Sequence, residues 1–156
     1  MTITAADVNK LRQLTGAGMM DCKKALTEAE GDFEKAVEIL RKAGQKVAAK
    51  RADNETSEGI VLVNVSEDGS SAKVLSLACE TEPVSKVESF RTLANDIMAA
   101  AIAADAQDAA TVGELTLADG LTINQSITEL IGKIGEKIVI NAFYSVTGEK
   151  VVGYVH

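Results

Sequence analysis

Apolar positions recur at helical spacing through about the first forty residues, then give way to the denser β-branched rhythm of strands. Thr4 and Asp7 have the spacing of a capping box, and Ile3 and Val8 that of a hydrophobic staple, so a helix is predicted to start near Ala5. Val8 and Leu11 form its apolar stripe. Thr15-Gly16-Ala17-Gly18 interrupts the pattern with two glycines suited to a tight helix-to-helix turn. A second helix is predicted over about 19–29. Gly31 is placed to end it in a left-handed conformation and Asp32 to cap a third helix, in which Phe33, Ala36, Val37 and Leu40 follow the i, i+3, i+4, i+7 spacing. Gly44 is expected to close that helix. Residues 1–44 therefore read as a three-helix bundle, small enough that packing against something further would help it.

Residues 45–58 carry Lys46, Lys50, Arg51, Asp53 and Glu55 without a sustained apolar stripe, which makes them a polar linker, although Val47, Ala48 and Ala49 permit some helix. From Gly59 the pattern changes. Residues 60–65 and 72–79 are strand-like and flank the turn Ser66-Glu67-Asp68-Gly69, so they form a hairpin. Ser85 and Glu88 offer a second capping box, and Val87, Phe90, Ala94, Ile97, Met98 and Ala101 mark one face of a helix reaching about Ala104. Residues 105–120 are loop-prone. Thr122 and Gln125 form a third capping box ahead of Ile123, Ile127, Leu130, Ile131 and Ile134, and Gly135 ends that helix. Residues 137–144 and 150–155 read as strands around Thr147-Gly148. Residues 59–156 are thus β-β-α-α-β-β, a core subdomain with an antiparallel sheet and two main helices, and the fold class is α+β.

Composition adds mainly exclusions. A chain of 156 residues buries roughly 70% of its unfolded surface. With only 3% aromatic residues, Leu, Ile, Val and Ala must do the packing. Acidic residues outnumber basic ones by 23 to 16, for a net charge of −7, which disfavours direct nucleic-acid binding. No basic start leads into an apolar run, and no segment has the roughly 20 apolar residues of a membrane span, so the cytoplasm is the expected location. Cys22 and Cys79 read as two reduced thiols. The single histidine, His156, is the last residue, so the chain cannot assemble a histidine-based metal cluster or catalytic pair, and no cofactor or metal is expected.

The motifs give little sign of catalysis. Gly16-Ala17-Gly18 begins like a dinucleotide fingerprint, but no strand precedes it and Asp21 occupies the third glycine's place. Glu80 and Glu82 share a face of an extended segment, but no nucleophile, histidine or metal set stands beside them, and a solvated edge is the better reading. The chain is therefore read as no enzyme. Met19 and Met20 would point about 100° apart on a helix, so one belongs at the surface; a flexible thioether there suits a protein-binding patch, and a half-buried core methionine fits the spacing equally. The stretch Leu77-Ala78-Cys79-Glu80-Thr81-Glu82-Pro83-Val84 joins a strand to a helix and holds the only proline, which marks it as a candidate functional loop.

The run Thr15-Gly16-Ala17-Gly18-Met19-Met20-Asp21-Cys22-Lys23-Lys24-Ala25-Leu26, followed by Gly31-Asp32 and Ala36, closely resembles the N-terminal domain of the elongation factor Ts family. The resemblance continues through Gly59, Cys79-Glu80-Thr81, Phe90, Leu93-Ala94 and Lys133-Ile134-Gly135-Glu136-Lys137-Ile138 to Gly153-Tyr154-Val155-His156, nearly the whole chain. It implies a ubiquitin-associated-like bundle followed by the first half of the family's α+β core, and a guanine-nucleotide exchange factor for elongation factor Tu. Such a factor needs differential affinity for its partner's states, with no nucleophile or cofactor.

By the same resemblance Arg12, Met19 and Met20 dock the N-terminal domain on the GTPase, and His156 is a further partner-binding position. Thr81, Glu82, Pro83 and Val84 stand where the family carries Thr-Asp-Phe-Val, the motif that disturbs the GTPase's Mg²⁺. Two departures matter. Pro83 replaces the aromatic ring and Glu82 lengthens the carboxylate, while Asn141 and Ala142 replace the paired arginines many members carry after Ile-Gly-Glu. A typical member continues beyond the position of His156, so the sequence is read as a fragment or as a short form completed by another chain. Pairing of an open strand edge near His156 would give a homodimer. The rival reading is a non-catalytic GTPase-binding module with weak or no exchange activity, and a small-molecule enzyme ranks third.

Overall fold

The computed structural model describes residues 2–156 and divides them into two compact units, one of residues 2–53 with 128–136 and the other of residues 54–127 with 137–156. The class is α+β, as the sequence pattern indicated.

In the first unit, α1 (Ala5–Thr15) starts from the expected capping box: the Asp7 amide donates to Thr4 Oγ1 at 3.2 Å and the Thr4 amide to Asp7 Oδ2 at 3.0 Å. These bonds satisfy amides that the first turn leaves without helical partners. Gly16 ends the helix with φ of 68°, donating its N–H to the Arg12 carbonyl at 2.7 Å. α2 (Met19–Glu28) follows, and Asp32 caps α3 (Phe33–Lys50) by accepting the Lys35 N–H at 3.1 Å. Val8, Leu11, Cys22, Ala25, Leu26, Ala29 and Ala36 form the buried centre, with Phe33, Val37 and Leu40 packed against it.

α3 does not stop at Gly44. It continues to Lys50, and Gly44 is buried within it. The missing side chain serves contact, not termination: a Cβ added to Gly132, on α7 (Ile123–Ile134), would lie 2.7 Å from the Gly44 Cα. Both glycines belong to this unit. A position at which two helical backbones meet needs glycine just as a left-handed cap does, and the sequence pattern alone reads the same for both.

The second unit is built on β1 (Glu58–Val65), β2 (Ser71–Cys79) and β3 (Ile138–Thr147), an antiparallel sheet in the order β1-β2-β3. Leu62 lies opposite Leu75, and Leu75 opposite Phe143, so the central strand carries the core; a bulge falls between Ser76 and Leu77. The helix α5 (Glu88–Ala103) packs on β1 and β2, with Phe90, Ala94, Ile97 and Ala101 fully buried. Lys73 reaches into this core fully partnered, its Nζ donating to Asp105 Oδ1 at 2.8 Å, the Ala106 carbonyl at 2.9 Å and Ser145 Oγ at 3.2 Å. The hydrogen bond from Lys73, then its charge, holds the Asp105 carboxyl below the usual carboxylate range.

Three expectations change here. Residues 150–155 are not a strand, so the open edge imagined near His156 does not exist, and the edges of the sheet are β1 and β3. The tail turns back toward the hairpin, with Gly148 and Val151 amides donating to the Ser70 and Gly69 carbonyls, and Gly153 lies so close to Val63 that a Cβ would come within 2.8 Å of its Cγ1. Those bonds hold the tail at the hairpin turn and over strand side chains, away from a ladder position. Second, Ser85 does not cap α5: its hydroxyl donates to the Glu82 carbonyl at 2.6 Å, closing the short helix α4 (Glu82–Ser85), and Val87 precedes α5 without a side-chain cap. Third, the loop-prone stretch 105–120 contains α6 (Ala109–Glu114), capped by Asp108. The Thr122 and Gln125 box forms as expected, with reciprocal bonds of 3.1 and 2.9 Å.

Candidate functional site

The corner after β2 is built from its last residues outward. Cys79 is fully buried at the end of the central strand, flanked by Glu58 on β1 and Ile138 on β3, and its Sγ donates to the Thr81 carbonyl at 3.3 Å. Glu80 Oε1 accepts the Lys137 backbone N–H at 2.7 Å and the Asn54 side-chain amide at 3.1 Å. Thr81, extended at φ −129° and ψ 151°, precedes the first turn of α4. Pro83 is tolerated there because first-turn amides have no helical partner to lose.

Of the four motif positions, Thr81, Glu82 and Pro83 are exposed while Val84 is buried and anchors the turn. Glu82 pairs with Lys86 at 2.6 Å; that hydrogen bond, and then the charge of Lys86, lowers the Glu82 carboxyl's pKa. The two glutamates thus differ in role: Glu80 is bonded inward and Glu82 faces solvent beside a lysine. Neither arrangement supplies a nucleophile and base. Among the described residues no group of three or more His, Cys, Asp or Glu could hold a metal ion, and no helix is long and apolar enough to cross a membrane. Both cysteines are free thiols.

The second group of candidates lies in the first unit. Arg12 is exposed on α1, and its carbonyl accepts the Gly16 N–H that opens the turn into α2. Met19 and Met20 begin α2 and are 48% and 62% exposed, so both reach the surface where spacing required only one. Leu14, which the periodicity did not single out, is 67% exposed and borders a cavity of about 360 Å³ also lined by Ala17, Leu40, Val47 and Lys133. Lying three residues after Leu11, it has a spacing compatible with the buried stripe, which is why pattern alone passes over it. His156 is exposed, with Nδ1 3.4 Å from the Tyr154 hydroxyl. The structure therefore places Arg12 on α1 and Met19 and Met20 at the start of α2, on either side of the turn between these helices in the first unit, and residues 81–84 and His156 in the second.

A sequence model of the family described as Elongation factor TS matches residues 80–156. The chain is 59% identical over 155 residues to a protein named Elongation factor Ts from Cytophaga hutchinsonii, covering 99% of this chain and 56% of that protein. Proteins of the same name from Amoebophilus asiaticus and Flavobacterium johnsoniae are 51% and 50% identical, matching 100% and 99% of this chain and 56% and 48% of their own lengths. The chain spans about half the length of these relatives.

Proposed function

The chain belongs to the elongation factor Ts family, and on that premise we propose that it binds elongation factor Tu carrying GDP and promotes release of the nucleotide, acting in the cytoplasm without a catalytic site, cofactor or metal of its own. The helices α1 to α3 serve as the ubiquitin-associated-like docking module, the residues between α3 and β1 as the connection, and the second unit as part of the first half of the family core. Arg12, Met19 and Met20 dock on the GTPase, with His156 as a further contact. Residues 81–84 face its Mg²⁺ and switch region.

The observation that carries this reading is the corner itself: Thr81, Glu82 and Pro83 project into solvent from a turn anchored by the buried Val84. Exchange follows from linkage. A protein that binds the nucleotide-free GTPase more tightly than the GDP-bound form must weaken GDP binding by the same coupling free energy. A turn that disturbs the Mg²⁺ contacts supplies that difference, since in such a GTPase the metal joins nucleotide phosphate oxygens to protein side chains.

Pro83 supports a second reading, a docking module that binds without driving exchange, because the family's inserting ring is absent. Release of fluorescent GDP from elongation factor Tu, with and without this chain and its Pro83→Phe variant, separates the two. Acceleration by the wild-type chain is expected, with a further gain from the restored ring. Binding without acceleration by either protein would leave only the docking reading. A second copy of the chain, pairing on the sheet edges β1 or β3 and not on residues 150–155, is also proposed as a partner, to be tested by the mass measured in solution.

A further inference from the structure

Glu80 lies just outside the four motif positions, yet its carboxylate gathers three distant segments of the second unit. Oε1 accepts the Lys137 N–H, 57 residues away in sequence, and the Asn54 side-chain amide, 26 residues away, while Lys137 Nζ donates to the Asn54 carbonyl at 3.1 Å. Lys137 immediately precedes Ile138, which pairs with Cys79 at the last rung of the β2 and β3 ladder. The glutamate side chain therefore adds one more bond where backbone pairing ends. It ties the end of β2 to the start of β3 and to the segment entering β1.

The consequence falls on the next residues. Cys79 Sγ holds the Thr81 carbonyl from below, Glu80 fixes the strand end, and the Ser85 hydroxyl closes α4 on the Glu82 carbonyl. Thr81, Glu82 and Pro83 themselves are exposed, so the direction in which they face is set by these inward bonds. A carboxylate at the end of two methylenes suits the task, since one oxygen receives a backbone donor and a side-chain donor with a charge-assisted bond to each. Aspartate would fall short by about 1.5 Å, one carbon–carbon bond.

We propose that Glu80 is a positioning residue for exchange, one that does not touch the GTPase but aims the residue 81–84 corner at it. The proposal rests on the exchange reading above. Misplacing a reacting or inserting group by about 1 Å can cost up to a hundredfold in rate, so the effect belongs in the saturating rate more than in affinity.

The test uses the full chain. GDP release from elongation factor Tu is followed against concentration for wild type, Glu80→Ala and Glu80→Gln, with thermal midpoints and amide hydrogen exchange at residues 81–86 measured on the same proteins. Glu80→Ala is expected to lower the saturating rate about tenfold, leave the half-saturating concentration unchanged and speed exchange at 81–86, with the β2 amides as slow as before. Glu80→Gln, which keeps an acceptor at Oε1, should recover most of the rate. Loss of rate, affinity and global stability together, or an unaltered saturating rate beside an active wild type, would overturn the proposal. If wild type itself fails to speed GDP release, the exchange reading fails, and the positioning claim is then decided by the amides: unaltered exchange at 81–86 in Glu80→Ala removes it, and faster exchange sustains it.

Discussion

Met19 and Met20 open a helix placed by its nearest neighbours: Gly16 turns the chain with a bond to Arg12, Gly18 precedes the first turn, and Cys22, Ala25 and Leu26 anchor the helix in the core. Residues 81–84 are placed the other way, by a strand end whose glutamate bonds an amide 57 residues on. One candidate contact surface is thus a local product of helix geometry, the other a product of tertiary structure. In the helix the exposed side chains can change with little effect on the fold. At the corner, presentation and folding share the same bonds.

The strongest test of that contrast is Leu77→Ala. Leu77 is fully buried on β2, two residues before Cys79, and its removal should cost the second unit about 2–5 kcal/mol in urea unfolding. Amide exchange at 81–86 should quicken as well. If those amides stay as slow as in wild type, the corner does not depend on the strand and the contrast fails.

The first unit has one non-local constraint of its own, and Gly132→Ala measures it. The added methyl would meet the Gly44 backbone at 2.7 Å, so relief requires the helices to move apart, at a cost of about 1–3 kcal/mol read from the unfolding midpoint of the helical signal. An unchanged midpoint would mean that the approach relaxes freely and that Gly44 has no contact role.

Met19→Ala and Met20→Ala should behave differently from either. Each is expected to leave stability within about 0.5 kcal/mol of wild type and to weaken binding to elongation factor Tu by about 1 kcal/mol, measured by titration calorimetry. A larger loss of stability than of affinity would place the methionines in the core, against their exposure.

The same division explains what could be read in advance. Capping boxes at Thr4 and Thr122, the stripes of α1 and α5 and the hairpin with its 66–69 turn were legible because each signal lies within a few residues. The role of Gly44 is not legible locally, because the residue that gives it meaning, Gly132, is far away in sequence. Ser85 and Glu88 have the spacing of a capping box, but the Ser85 hydroxyl is taken by the Glu82 carbonyl of a four-residue helix that periodicity cannot resolve. The strand-like composition of 150–155 was real, yet the amide of Val151 is used at the hairpin turn. At the candidate site, sequence marked the strand-to-helix corner and put one of the two methionines at the surface where both are exposed, but could not distinguish the inward Glu80 from the outward Glu82. Their difference lies in Lys137 and Asn54 on one side and Lys86 on the other.

The smallest expected effect concerns a local device inside the second unit. Asp68 Oδ1 accepts from Ser66 Oγ, Ser70 Oγ and the Ser70 amide at 2.7, 2.7 and 3.0 Å, and these bonds, with Ser66 first, pull its pKa down to about 2. An unfolded aspartate titrates near about 3.9. Because the folded value is the lower one, the carboxylate stabilises the fold above about pH 4, and this contribution is lost as the pH falls through about 2. Asp68→Asn removes it. The difference between wild-type and variant thermal midpoints should be constant from neutral pH to about 4, then shrink toward pH 2; a difference constant throughout would show that the turn does not hold the carboxylate. Since every partner of Asp68 lies within two residues, the variant should leave GDP release at neutral pH at the wild-type rate, whereas Glu80→Ala should not. The unit that presents the non-locally built corner would then also contain a locally built turn, and reach along the chain, more than location in one unit, would decide which substitutions disturb function.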